Sequence, residues 1–240
     1  PMQVTPRPLS FYTGLLNAGT PFAFSRYGDG EWACILGQEG MTCDGQPYSP
    51  ALAQDLAGAL ESAAVGVSAN YFAAIGPAAV RTLGAQINNW MGHHDLRIDW
   101  HSTEVFLQAS LDGALYPFVE ALRRRTLLYV GPAHLRAFAR DVLHADAFVE
   151  VPGKDAYGQR GVITHDIMET WLDIVPEVFG YSAGPLANVL IDYFNLPEPL
   201  TQIDFGSVWD VYAGVKSRSY MRKGPWDWAR LRQQNFEGTL

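Results

Sequence analysis

The feature that most constrains the fold of this chain is a recurring unit. In each copy, a short apolar run meets a glycine-containing turn, and a helical pattern follows, in residues 22–32, 126–136 and 178–191. Such units, separated by short loops, are typical of a parallel sheet with helices on both faces. We therefore predict an α/β fold: a single Rossmann-like domain with a mostly parallel, doubly wound sheet.

Length and composition agree with one globular domain over residues 1–240. The chain has 48% hydrophobic and 18% charged residues, which excludes a disordered protein and suffices for a sizeable core. No apolar run approaches the roughly 18 to 20 residues of a membrane span, and no basic-then-apolar leader opens the sequence. We therefore expect a cytoplasmic protein with no membrane span.

Local patterns assign the remaining elements. Helices are predicted at residues 7–18, 50–63, 76–91, 112–125 and 164–175, and strands at residues 65–70, 105–107, 148–151 and 202–210. The carboxyl ends of parallel strands form the ligand crevice of open α/β sheets, so Ser68 and Asn70 are candidate ligand contacts. Lys154 or Tyr157, after another predicted strand, could also face a ligand, although an ordinary surface loop is the alternative.

Two carboxylates stand at the first strand-to-helix turn. Asp29 and Glu31 are two residues apart, and Gly28 and Gly30 can adopt backbone angles closed to other residues and let the two acids converge. Such a pair suits Mg²⁺ or Mn²⁺, which prefer oxygen ligands and leave positions for phosphate. The plain alternative is an ordinary turn in which the second acid favours the helix start.

The C-terminal segment, residues 216–240, is basic and aromatic in a chain of net charge −8. Its basic residues are Lys216, Arg218, Arg222, Lys223, Arg230 and Arg232, against the acids Asp227 and Glu237. This asymmetry suggests an anionic ligand near the C-terminus. Two interpretations remain: a closing helix packed through Trp226, Trp228 or Leu231, or an acceptor site for a sugar or single-stranded nucleic acid.

Three blocks in order carry a family resemblance. The first is Arg26-Tyr27-Gly28-Asp29-Gly30-Glu31, and the second is a Gly184-Pro185 turn before an apolar helix. The third runs from Asp204 through Gly206, Ser207 and Val208 to Asp210, and is followed by Lys216, Arg218 and Tyr220. Together they span roughly residues 22 to 220, and in this order they resemble the glycosyltransferases of the GT-D fold.

The resemblance implies a metal-dependent transferase that uses a nucleoside-diphosphate sugar, above all a UDP-sugar. It makes Asp29 and Glu31 the catalytic acids that hold Mn²⁺ or Mg²⁺. The implied donor-binding and phosphate-binding residues are Arg26, Tyr27, Gly28, Gly184, Ser207, Lys216, Arg218 and Tyr220. For an inverting reaction, the candidate general base is Asp210 or Asp204. The alternative role for Asp204 is that of a structural cap. The resemblance does not identify the acceptor hydroxyl; a glycan is one candidate, and a modified nucleic-acid base is another that the basic and aromatic C-terminal segment suggests.

Two other functions fit the same carboxylates. One is a Mg²⁺-dependent phosphohydrolase or nucleotidyltransferase, which would release phosphate or pyrophosphate without sugar transfer. The other is a non-catalytic nucleotide-sugar binding protein, although a binding module has less need of two converging acids.

Overall fold

The computed structural model describes residues 2–66, 70–195 and 200–238. Within them a single sheet has seven strands, all parallel. The strands are β1 (Ala23–Tyr27), β2 (Tyr71–Ile75), β3 (His101–Ser102), β4 (Leu127–Pro132), β5 (Ala147–Val151), β6 (Val178–Tyr181) and β7 (Thr201–Asp204). The helices are α1 (Leu9–Ala18), α2 (Asp29–Ile35), α3 (Pro50–Val65), α4 (Pro77–His93), α5 (Val105–Leu111), α6 (Tyr116–Leu122), α7 (Arg136–Asp141), α8 (Arg160–Ile174), α9 (Leu186–Tyr193), α10 (Ser219–Lys223) and α11 (Trp228–Glu237).

The order of the strands brings the first and the last together. It runs β3-β2-β1-β7-β6-β4-β5, so the sheet winds outward from β1 to β3 and fills its other half with β4 to β7. In β1, Ala23 lies opposite Tyr71 on one side and Gln202 on the other. The strand order reverses between β1 and β7, and at such a point a crevice is expected at the carboxyl ends of the strands.

The core is divided between the two faces of the sheet. Successive side chains of a strand point to opposite faces, so Leu128 and Val130 enter one apolar cluster while Leu127 and Tyr129 enter the other. Helices α2, α3, α4, α8 and α9 supply the first cluster, and α1, α5, α6, α7 and α11 supply the second. The predicted doubly wound α/β fold is confirmed.

Two predicted strands are wrong. The strand predicted at residues 65–70 does not begin at Val65, which ends α3, and the observed strand is Tyr71–Ile75, which pairs with β1 along its whole length. Residues 67–69 lie outside the described residues. Residues 105–107 belong to α5, whose buried Phe106, Ala109 and Ser110 share one helical face. In both places long-range packing overrides a local β-type pattern.

Two other predicted elements are shorter in the structure. The helix expected at residues 112–125 is Tyr116–Leu122. The strand expected at residues 202–210 ends at Asp204, and Asp210 instead begins a short 3-10 helix, Asp210–Ala213.

The C-terminal segment packs against helices rather than on the sheet itself. Leu231 and Phe236 of α11 are buried in the second cluster. Asn235, fully buried, accepts a hydrogen bond from Leu115 N at 3.0 Å and donates one to Ser110 O at 2.9 Å. These contacts tie α11 to α5 and to the start of α6. In the part of the chain that the structure describes, no helix is both long and apolar enough to cross a membrane.

Candidate functional site

A cleft of about 420 Å³ opens at the carboxyl ends of β1 and β7. Its charged lining residues are Arg26, Asp29, Glu31, Asp44, Asp204 and Arg218. Gly28, Gly184 and Gly206 also line it. The structure thus brings together seven of the predicted site residues, from three separate sequence blocks, where the sheet topology predicts a ligand crevice.

The turn from β1 into α2 positions the two predicted metal ligands. Asp29 is the first residue of α2 and is exposed, whereas Glu31 folds back so that its Oε2 accepts a hydrogen bond from Gly28 N at 2.9 Å. This contact caps the helix, and both acids suit the positive end of the helix dipole. Glu31 is therefore the first-turn acid of the sequence-based alternative, and it also lines the cleft.

The two glycines of this turn serve close packing, contrary to the sequence-based prediction. Gly28 has φ −85°, and Gly30 lies inside α2, so neither uses angles closed to other residues. A β-carbon on Gly28 would approach Glu31 Oε2 to 3.0 Å, and one on Gly30 would approach the Thr42 side chain to 3.0 Å. Lack of a side chain, rather than unusual backbone angles, lets the capping carboxylate and the following loop come close.

A second acid, Asp204 at the end of β7, lies beside this turn. The pKa of Glu31 is raised to about 7, chiefly by burial and also by the nearby Asp204 carboxylate, while Gly28 N–H and Arg26 oppose the rise. Burial also raises the pKa of Asp204. Asp204 Oδ1 accepts a hydrogen bond from Gly206 N at 2.8 Å and lies 4.0 Å from Arg26 Nη1. Asp204 therefore caps the turn at Gly206, which is the structural role given above as its alternative, and it also lines the cleft.

Arg26 is held against the backbone of Gly206. A β-carbon on Gly206, which has φ +55°, would overlap the Arg26 guanidinium. Arg26 Nε is buried and has no hydrogen-bond partner in the described ranges. A buried donor without a partner is rare in folded proteins and is often explained by a ligand or an ordered water.

Arg218 forms the wall between this cleft and a neighbouring cavity. Its Nη1 and Nη2 donate to Asp44 Oδ1 and Oδ2 at 2.6 and 2.9 Å, a two-bond ion pair. Both residues line both cavities, as do Gly184 and Gly206. An arginine that already holds a carboxylate in this way has the geometry that also binds a phosphate group.

The neighbouring cavity, of about 200 Å³, lies at the carboxyl ends of β4 to β7 and contains the predicted base, Asp210. Asp210 is buried, and its Oδ1 lies 2.9 Å from His134 Nε2. Its Oδ2 accepts a hydrogen bond from Ser217 Oγ at 2.5 Å. Ser207, a predicted donor-binding residue, also lines this cavity.

Three predicted donor-binding residues line neither cavity. Tyr27 is fully buried, with its ring against Trp32 and Trp100 in the first cluster. Lys216 is exposed, and its carbonyl oxygen accepts a hydrogen bond from Arg222. Tyr220 packs near Trp226 and Trp228, and burial raises its pKa to about 12.

Four further residues, Ser68, Asn70, Lys154 and Tyr157, were predicted as possible ligand contacts, and one of them lines a cavity. Lys154 lines the cavity of Asp210. Tyr157 instead donates to Asp55 Oδ2 at 2.6 Å, and Asn70 donates to Pro21 O at 3.1 Å near the amino end of β1. Asn70 thus lies at the opposite edge of the sheet from the cleft, since β2 begins one residue later. Ser68 lies outside the described residues.

Sequence reasoning missed Asp44 and His134. His134 lies two residues after Pro132, the last residue of β4, so its position relative to a predicted strand could have indicated it. Asp44 lies in a polar loop with no local signal, and its ion pair is with Arg218, 174 residues away.

The comparisons with known proteins concern the fold. Two solved structures are similar to this chain at 17% identity, and each alignment covers 87% of this chain and 80% of the other. One is the selenomethionine-substituted structure of domain of unknown function 1792 (DUF1792), with a TM-score of 0.63. The other, with a TM-score of 0.59, is described as showing that this highly conserved domain has a distinct glycosyltransferase fold.

The chain shares a glycosyltransferase fold. No protein-family model and no curated protein sequence matches it. At this identity the likeness concerns the arrangement of the backbone, and the activity has to be argued from the residues of the site.

Proposed function

We propose that this chain is a metal-dependent glycosyltransferase that moves a sugar from a nucleoside-diphosphate sugar, such as a UDP-sugar, to an acceptor hydroxyl. The observation that carries this proposal is the cleft at β1 and β7, where Asp29, Glu31 and Arg26 meet at the crevice of a glycosyltransferase fold. The acceptor class, a glycan or a modified nucleic-acid base, is part of the same proposal.

The charge of the cleft supports a divalent cation. Four carboxylates line it against two guanidinium groups, and one of these, on Arg218, is already paired with Asp44. A diphosphate would meet net repulsion there, because like charges at close range in a partly buried site disfavour each other. A bound divalent cation removes this repulsion.

Asp29 and Glu31 have the right chemistry to hold the cation. Mg²⁺ and Mn²⁺ prefer oxygen ligands, and Mg²⁺ commonly uses one or two carboxylates together with substrate phosphates. Within the described residues no group of three or more possible ligands converges, so the protein alone does not form a closed metal cage. Glu31 uses one oxygen to cap α2, and a carboxylate has further acceptor capacity for a cation. When bound, the cation offsets the negative charge that grows on the leaving diphosphate.

The chain's own residues would bind and orient the donor. Arg26, whose Nε lacks a hydrogen-bond partner in the described part of the chain, would donate to a phosphate oxygen. Arg218 would do the same after exchanging Asp44 for phosphate. Gly184 leaves the wall of the cleft open, because a β-carbon on it would meet no atom within 4 Å.

The test is thermal unfolding of the wild type, Asp29→Ala and Glu31→Gln with Mn²⁺ and a panel of UDP-glucose, UDP-galactose and UDP-N-acetylglucosamine. Ligand at 100 times its dissociation constant adds about 2.7 kcal/mol. For a chain of this size we expect a rise in Tm of roughly 5–10 °C. The rise should require both metal and one sugar nucleotide. Glu31→Gln keeps an oxygen that can cap Gly28 N, so it should lose the metal-dependent rise while keeping the Tm of the unliganded wild type.

The matched control is Glu39→Ala, an exposed acid on the loop after α2. It should respond to Mn²⁺ and donor as the wild type does. Wild-type protein that shows no response to any sugar nucleotide, or Asp29→Ala that keeps the full response, would contradict the proposal. Release of inorganic phosphate or pyrophosphate without sugar transfer would instead identify the hydrolase or nucleotidyltransferase alternative.

A further inference from the structure

The His134–Asp210 pair has the geometry of a base and the group that orients it. Asp210 is only 7% exposed, and both of its oxygens are engaged, Oδ1 with His134 and Oδ2 with Ser217. A carboxylate held in this way is poorly placed to take a proton from an external hydroxyl. The His134 side chain is 32% exposed and lines the cavity, so it is the member of the pair that a substrate can reach.

The hydrogen bond to Asp210 also decides which ring nitrogen of His134 is free. In a neutral imidazole one nitrogen donates and the other accepts. Because a carboxylate only accepts, Nε2 carries the hydrogen that points to Asp210, and Nδ1 carries the lone pair. No other hydrogen bond of His134 is found within the described residues. Nδ1 is therefore available to an acceptor.

The cavity of His134 adjoins the cleft of Asp29 and Glu31. Four residues line both, namely Asp44, Gly184, Gly206 and Arg218. A donor whose diphosphate lay in the cleft could thus direct its sugar toward His134. The cavity also has polar side chains that could hold the hydroxyls of an acceptor, including Ser182, Ser207 and Lys154.

We infer that this cavity is the acceptor subsite and that His134 Nδ1 is the general base of an inverting transfer. The inference rests on the proposed function and names the base within it. The acceptor oxygen forms a bond to the anomeric carbon of the donor. The bond from that carbon to the diphosphate oxygen breaks, and its electron pair leaves with the diphosphate. The hydroxyl proton moves to His134 Nδ1. Asp210 is a positioning residue, because it orients the ring and stabilises the imidazolium that forms.

The experiment measures UDP release from the three UDP-sugars with Mn²⁺ and water as the acceptor, for the wild type, His134→Ala and Asp210→Asn. Loss of a general base typically lowers the rate by about 10²–10⁴-fold. We expect a fall in kcat of at least about 100-fold for His134→Ala, with the donor-induced rise in Tm unchanged. Added imidazole should restore part of the rate. The matched control, His165→Ala on the exposed face of α8, should keep the wild-type rate.

Asp210→Asn separates positioning from a purely structural role. Removing the charge next to His134 makes protonation of the ring harder, so the acid limb of the pH–rate profile should move to lower pH. The other charged groups that line this cavity, Asp44, Lys154, Asp155 and Arg218, are unchanged in this variant and cannot cause the movement.

Each outcome bears on the inference. A wild-type rate in His134→Ala overturns it, even if Asp29→Ala has lost all activity. A loss that imidazole does not restore, together with an unmoved pH profile in Asp210→Asn, shows a structural pair and also overturns it. Wild-type protein that neither binds nor cleaves any of the sugar nucleotides overturns the proposed function itself, and the inference with it.

Discussion

Replacing Gly206 with alanine would perturb the tightest contact in the cleft. At φ +55° a β-carbon costs about 1–2 kcal/mol, because the left-handed region is unfavourable for L residues. The same β-carbon would overlap the Arg26 guanidinium, which would have to move away from Asp204. Asp204 is 5% exposed, so it would stay buried without its nearest positive charge.

The size of the effect follows from a comparison with Gly214. Gly214 has φ +85°, and a β-carbon on it would meet no atom within 4 Å, so Gly214→Ala has the backbone cost alone. Asp204 would keep its hydrogen bond from Gly206 N but lose its charged neighbour, and loss of such a contact by a buried charged group costs about 1–3 kcal/mol. Gly206→Ala should therefore be less stable than Gly214→Ala by about that amount. At about 2–4 °C per kcal/mol, its Tm should be at least about 2 °C lower than that of Gly214→Ala.

The assay is thermal unfolding of both variants, followed by a double-mutant cycle with Arg26→Ala. Once the guanidinium is absent, Gly206→Ala should cost no more than Gly214→Ala, so the cycle should show coupling between positions 26 and 206. Equal Tm values for the two glycine variants, or additive effects of Arg26→Ala and Gly206→Ala, would refute the reasoning, because Arg26 would then move aside without cost.

Two further predictions concern charge. Asp44→Asn weakens the ion pair with Arg218, and because both side chains are partly exposed it should cost less than about 1 kcal/mol of stability. The freed Arg218 should lower the KM for the donor, and an unchanged KM would show that Arg218 does not contact phosphate. Burial lowers the pKa of His101, so the unfolded chain binds that proton more tightly than the native one. The contribution of the buried, neutral His101 side chain to stability should be complete above about pH 6.5 and should decline as the pH falls below that value. The fall in urea midpoint from about pH 7.5 to about pH 5.5 should be smaller in His101→Gln than in the wild type. Equal falls in the two proteins would contradict this prediction.

Local sequence predicted most of the elements that carry the site. A serine before a proline marked the start of α3, where Ser49 Oγ accepts from Leu52 N at 3.1 Å. The apolar run and glycines near residue 28 marked the turn that presents Asp29 and Glu31. These features were predictable because capping and turn formation depend on residues only a few positions apart.

Segments whose conformation depends on distant partners were mispredicted. Tyr71–Ile75 is a strand because β1 pairs with it residue by residue, and residues 105–107 are helical because Phe106 and Ala109 pack into the second cluster. Tyr27, part of the Arg26 to Glu31 block, looked like a donor contact. Its place in the strand turns its ring into the core instead, since side chains alternate between the two faces.

The sequence by itself determined the class of fold and the local chemistry at the end of β1, because periodicity, turns and caps are short-range properties. Only the tertiary structure decided which distant groups share the site. The order of the strands places β7 next to β1, and that neighbourhood brings Asp204 to Arg26 and Glu31. The same sheet brings His134 to Asp210 across 76 positions. These contacts between distant residues depend on which strands pair and which faces are buried, and the packing of the whole chain determines both.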